Sequence, residues 1–95
     1  MYKVTNPATG EVVAEYATTT DEQILASINL ADQQFSAWKS VPLDDRVKMM
    51  HRTAKLFAER ADQLAEIITV EMGKRLAEAR GEISIVVEIF IYYAN

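Results

Sequence analysis

Residues 81–95 read GEISIVVEIFIYYAN, the longest apolar run in the chain, and the way they fold decides the class of the whole protein. Ile83, Ile85, Val87, Ile89, Ile91 and Tyr93 alternate as a half-buried strand would. Leu76, Ala79, Ile83, Val86, Phe90 and Tyr93 also recur at helical spacing. The helical pattern begins seven residues earlier, in LAEARGE, and enters the apolar run without a turn signal. The spacing therefore predicts a helix, against the strand preference of its β-branched residues. On that helix a second line runs through Arg75, Glu78, Glu82, Ile85, Ile89 and Tyr92. It is charged in its first half and apolar in its second. The last turns thus carry apolar groups on two sides and call for two partners.

Upstream residues can supply one of them. Val47, Met50, Ala54, Phe57, Ala61, Leu64 and Ile68 form an unbroken stripe that Pro42 can open. A kink near Arg60 is compatible with it, and Gly73 suits the residue that closes a helix. An earlier helix carries Ile24, Ile28, Ala31, Phe35 and Trp38 on one face, with Phe35 and Trp38 expected in the core. Thr20 and Gln23 have the spacing of a capping box at its start, and Ser40-Val41-Pro42 ends it. Residues 2–18 read as β: two short extended pieces flank Asn6-Pro7-Ala8-Thr9-Gly10, where proline fixes φ and glycine tolerates the left-handed region. A lone hairpin is marginal in water. Residues 11–16 are therefore expected to pair with 2–5 or with another copy, and to lie on a helix. The fold class is mainly α: an N-terminal β-hairpin, 2–18, followed by three to four amphipathic helices over 20–95.

Composition narrows the function. Ninety-five residues make one small domain, 49% apolar and 25% charged, with net charge −4. An acidic balance argues against nucleic acid and anionic membranes as partners. The absence of cysteine removes disulfides, thiolate catalysis and thiolate metal sites, and fits a reducing, cytoplasmic setting. MYKVTNPATGEV lacks the apolar core of a signal peptide. The run from Ile83 to Tyr93 is shorter than the roughly 20 residues that span a bilayer, and Glu88 interrupts it.

Candidate chemistry is sparse. Glycine occurs at positions 10, 73 and 81, so no glycine-rich nucleotide loop exists. Gly73-Lys74 is followed by Arg75 where a phosphate loop requires Ser or Thr. His51, the single histidine, shares the polar side of its helix with Asp44, Lys48 and Lys55 and reads as solvated. One histidine without cysteine is a poor metal site. Glu78 and Glu82, one turn apart with Lys74 nearby, could do acid–base work, but they read as surface ion pairs. No catalytic, cofactor-binding or metal residue is assigned.

Several pieces then occur in one order: Asn6-Pro7-Ala8-Thr9-Gly10-Glu11, Phe35-Ser36-Ala37-Trp38, the Arg46-to-Leu56 helix, Glu59-Arg60-Ala61-Asp62, Glu71-Met72-Gly73-Lys74 and Glu78-Ala79-Arg80-Gly81-Glu82. Tyr92-Tyr93-Ala94 continues them. Together they resemble the N-terminal region of the NAD(P)-dependent aldehyde dehydrogenase superfamily over essentially the whole chain. The pattern is most similar to succinate-semialdehyde dehydrogenases, although related aldehyde dehydrogenases share much of it.

The resemblance implies that residues 1–95 are an N-terminal fragment of a larger α/β dehydrogenase, with 20–95 the helical part of its cofactor-binding domain. It implies a cysteine thiolate that attacks the aldehyde, hydride transfer to NAD(P)+ and a glutamate-activated water, all supplied from outside these residues. The fragment is accordingly expected to be inactive and to hold no cofactor. The resemblance also implies a homo-oligomer whose subunits the hairpin helps to join, and a last helix beside the substrate entrance. It names the remainder of the enzyme as the partner of Ile85, Ile89 and Tyr92. Read from the residues alone, the alternative is a stand-alone helical interaction or dimerisation module without catalysis.

Overall fold

The computed structural model describes all residues, 1–95, as two strands and four helices. Strands β1 (Tyr2–Thr5) and β2 (Val12–Tyr16) pair antiparallel, with Tyr2 opposite Tyr16 and Val4 opposite Ala14. A register shift between Val4 and Thr5 brings Thr5 opposite Val12. The Asn6–Gly10 turn works as its residue types require. The Asn6 side-chain oxygen accepts from the Ala8 N–H at 2.9 Å, and Gly10 takes φ 77° while its N–H donates to the Asn6 carbonyl at 2.8 Å. The partner of 11–16 is therefore the 2–5 segment of the same chain, and Val13 shares a shallow depression with Gln63, Ile67 and Val70 of the third helix.

Helix α1 (Asp21–Trp38) begins on the expected capping box: the Gln23 N–H donates to the Thr20 hydroxyl, and the Thr20 N–H to the Gln23 side chain. Its apolar face nevertheless meets nothing substantial within the chain. Phe35 is 61% exposed and Trp38 only half-buried, which corrects their assignment to the core. The 3.6-residue period fixes which side of a helix is apolar, not where its partner resides.

The core lies among the other three helices. Helix α2 (Leu43–Glu59) and helix α3 (Ala61–Met72) are separated by Arg60 alone, whose backbone sits at φ −103°, ψ 15°. Helix α4 (Leu76–Ala94) packs on both. The stretch from Gly81 is thus helical through Ala94, as the earlier onset of its period predicts. Ala65 of α3 and Ala79 of α4 are fully buried, and with Ile83 they form the centre, surrounded by Ala61, Leu64 and Ile68. Side chains this small let two helix backbones approach closely. Phe57 stacks at a tilt on Phe90, centroids 5.3 Å apart. Arg80 reaches Asp62 at 3.1 Å across the α3–α4 seam. Tyr93, placed on the core stripe by its spacing, is instead 81% exposed, its ring at the rim of a depression that it shares with Met50, Ile89, Phe90 and Ala94.

Gly73 ends α3 at φ 75°, its N–H donating to the Thr69 carbonyl. A Cβ there would stand 2.9 Å from Pro7 Cγ, so the hairpin turn and the α3 terminus touch at this point. Gly10 has a similar φ but open space around it. Gly73→Ala is therefore expected to cost more than the roughly 1–2 kcal/mol of left-handed strain that Gly10→Ala carries. Urea midpoints of the two variants measure the difference; equal losses would remove the Pro7 contact from the account.

The whole is a slab. Its extents are 48 × 37 × 15 Å, the last scarcely more than the diameter of one helix with its side chains. The radius of gyration is 17.4 Å, where a compact chain of this length has about 12 Å. The accessible surface is 7731 Å², about 2,200 Å² above that of a compact monomer of equal mass.

Candidate functional site

The candidate acid–base residues are taken up in ion pairs, and the single histidine lies elsewhere. Lys74 forms an ion pair with Glu82, and Arg75 pairs with Glu78 at 2.5 Å. The two glutamates that could have made an acid–base pair therefore each hold a cation, as the reading of them as ion pairs expects. His51 lies exposed on α2. No group of three or more His, Cys, Asp or Glu side chains is placed to hold a metal ion. No helix is long and apolar enough to cross a membrane.

The residues also give a nucleotide cofactor no cradle. Lys74, Arg75 and Arg80, the cations clustered at the start of α4, are all taken by carboxylates. The depressions on the surface are open and mostly apolar, formed by side chains such as Thr53, Leu56, Phe57 and Leu64 rather than by converging donors. Neither hydride chemistry nor pyrophosphate binding fits this set.

What the fold does present is apolar surface in an ordered arrangement. On α4, Ile85 is 55% exposed and Tyr92 is 74% exposed, with Ile89 half open between them. With Glu88 and Tyr93 they line a shallow trough. Helix α2 and helix α3 hold the opposite side of α4, through Ile83, Val86 and Phe90, so this face is rigidly backed. The helical reading of 81–95 singles out these same three residues, and the structure brings them to one surface. The α1 face, with Ile24, Ile28 and Phe35, is a second such surface, which spacing alone cannot distinguish from core. Arg46, on the first turn of α2, stands out for a reason that no motif signals: its side-chain Nε is buried without a hydrogen-bond partner.

Comparison with known proteins gives a consistent answer. The model of the aldehyde dehydrogenase family matches residues 1–95. A succinate-semialdehyde dehydrogenase [NADP(+)] of Deinococcus radiodurans is 41% identical over 94 residues, which are 99% of this chain and 20% of the relative. Malonate-semialdehyde dehydrogenase 2 of Oceanobacillus iheyensis is also 41% identical, over 80 residues, covering 84% of this chain and 16% of the relative. Among solved structures, the succinic semialdehyde dehydrogenase of Streptococcus pyogenes in complex with NADP+ superposes with a TM-score of 0.92 at 30% identity, covering 99% of this chain and 21% of that one. The chain thus spans about a fifth of the length of these relatives.

Proposed function

Because the chain belongs to the aldehyde dehydrogenase family, we propose that it is the N-terminal scaffold of an enzyme that oxidises a short semialdehyde to the dicarboxylate with NADP+. In that reaction the aldehyde carbon loses a hydride to the nicotinamide and gains an oxygen from water, and protons are released. Residues 1–95 take no part in those steps. They contain no cysteine to attack the carbonyl and no cation free near α4 to hold a phosphate.

Their role is to present one layer. The observation that carries this is the slab itself: a single thickness of helix, with apolar faces on α1 and α4 left uncovered and about 2,200 Å² more surface than a compact chain exposes. The body of the enzyme is proposed to cover those faces, Ile85, Ile89 and Tyr92 in particular. The assembled protein is proposed to be a cytoplasmic homo-oligomer. Succinate semialdehyde is favoured as substrate because relatives named for it align along nearly the full chain, from Deinococcus and from Streptococcus. NADP+ is favoured over NAD+ because both of those names carry it.

The longer protein is expected to oxidise succinate semialdehyde faster than malonate semialdehyde, and to form NADPH from NADP+ faster than NADH from NAD+. Residues 1–95 alone are expected to form none above a heat-killed control. Turnover by the 95 residues would refute the scaffold role; a longer protein that ignored all semialdehydes would refute the reaction.

A further inference from the structure

Ten side chains carry positive charge, and Arg46 is unlike the other nine. Lys3, Lys55, Lys74, Arg75 and Arg80 each meet a carboxylate. Lys39, Lys48, Arg52 and Arg60 are unpaired but exposed, so water satisfies them. Arg46 alone is neither paired nor exposed: it is half-buried, and its Nε is buried with no hydrogen-bond partner. Buried donors are almost always hydrogen-bonded, and the guanidinium is charged, which makes an orphaned position more costly.

Its place on the helix sharpens the point. Arg46 lies in the first turn of α2, where the partial charge of the helix is positive and a cation is disfavoured. Asp44 and Asp45 share that turn, yet neither pairs with it. One turn further on, Met50 joins Ile89, Phe90, Tyr93 and Ala94 around an all-apolar depression. The first half of α2 therefore lies beside the end of α4, and the unpartnered donor stands one helical turn from an apolar hollow. A planar guanidinium left without a partner is matched by a carboxylate, which neutralises it and can accept two parallel N–H bonds.

We infer that Arg46 is the anchor for an aspartate or glutamate carboxylate from the part of the enzyme outside residues 1–95, which docks here with the Met50–Tyr93 hollow taking its apolar neighbours. This rests on the reading of the chain as part of a longer protein. Intact mass of the gene product tests that premise separately, and a product ending at Asn95 would remove both together.

The inference itself is tested in the longer protein. Its crystal structure is expected to place a carboxylate oxygen from beyond residue 95 within hydrogen-bond distance of Arg46 Nε. A water, a bound anion or a group from residues 1–95 in that position would overturn the inference. In solution, Arg46→Met is expected to lower Tm by several degrees, with or without saturating NADP+, and Arg46→Lys, which keeps the charge but not the fork, to lower it less. An Arg46→Met protein as stable as the parent would overturn it, as would a deficit erased by NADP+, since the anion would then be the cofactor's phosphate.

Discussion

Purified alone and concentrated, residues 1–95 are expected to sediment as a dimer or larger species rather than as a 10.7 kDa monomer. The cause is the uncovered side of α4, where Ile85, Ile89 and Tyr92 stand open together. Each gains about 1.5–3 kcal/mol when fully buried, before the entropy of association is subtracted. The surplus surface of about 2,200 Å² is also as large as a stable interface needs, roughly 1,200–2,000 Å² counted over both partners. Ile85→Lys with Ile89→Lys is expected to shift the population to monomer. Helix content should hold, because Ile83, Val86 and Phe90 keep the opposite face of α4 on α2 and α3. An unmodified chain that stayed monomeric at high concentration would mean that the face is covered from within.

The second large effect separates two isoleucines two residues apart. Ile83 is 5% exposed at the centre of the core, and its replacement by alanine is expected to cost about 2–5 kcal/mol. The 95 residues bury few side chains, so a loss of this size should melt most of α3 and α4 at room temperature. Circular dichroism reads that directly. Ile85→Ala in the same isolated chain, kept dilute enough to prevent association, should leave the spectrum unchanged, since half of that side chain already faces water. Equal losses from both variants would mean that the core is not where the packing of α4 puts it.

The helices were legible because their signals are local. The α4 period runs through Leu76 and Ala79 before the β-branched residues begin, so a strand would have to start inside a helix already under way. The α2–α3 stripe shows the same consistency, and it survives the break at Arg60 because a single residue outside helical geometry shifts the stripe too little to bury a different side. Gly73 and the Thr20–Gln23 pair mark ends by side-chain chemistry that acts within four residues. Partnership is not local. The face of α1 through Phe35 has the same spacing as the face of α2 through Phe57, yet only the second finds a ring to pack on, Phe90. Tyr93 continues the α4 stripe, yet its side chain stands exposed while Ala94 beside it is buried. Arg46 precedes Val47 with nothing in the sequence to set it apart, and only the folded chain shows its Nε withdrawn from water.

One side chain changes its environment between the isolated layer and the proposed whole enzyme, and it supplies the most direct test. Ile85 is 55% exposed in the slab, and the proposed body of the enzyme is what covers it. Measured by denaturant unfolding of the longer protein, Ile85→Ala is expected to cost about 2–5 kcal/mol, the range of a buried isoleucine, although it costs almost nothing in residues 1–95 alone. An Ile85→Ala enzyme as stable as its parent would leave that face of α4 in water and contradict the scaffold role.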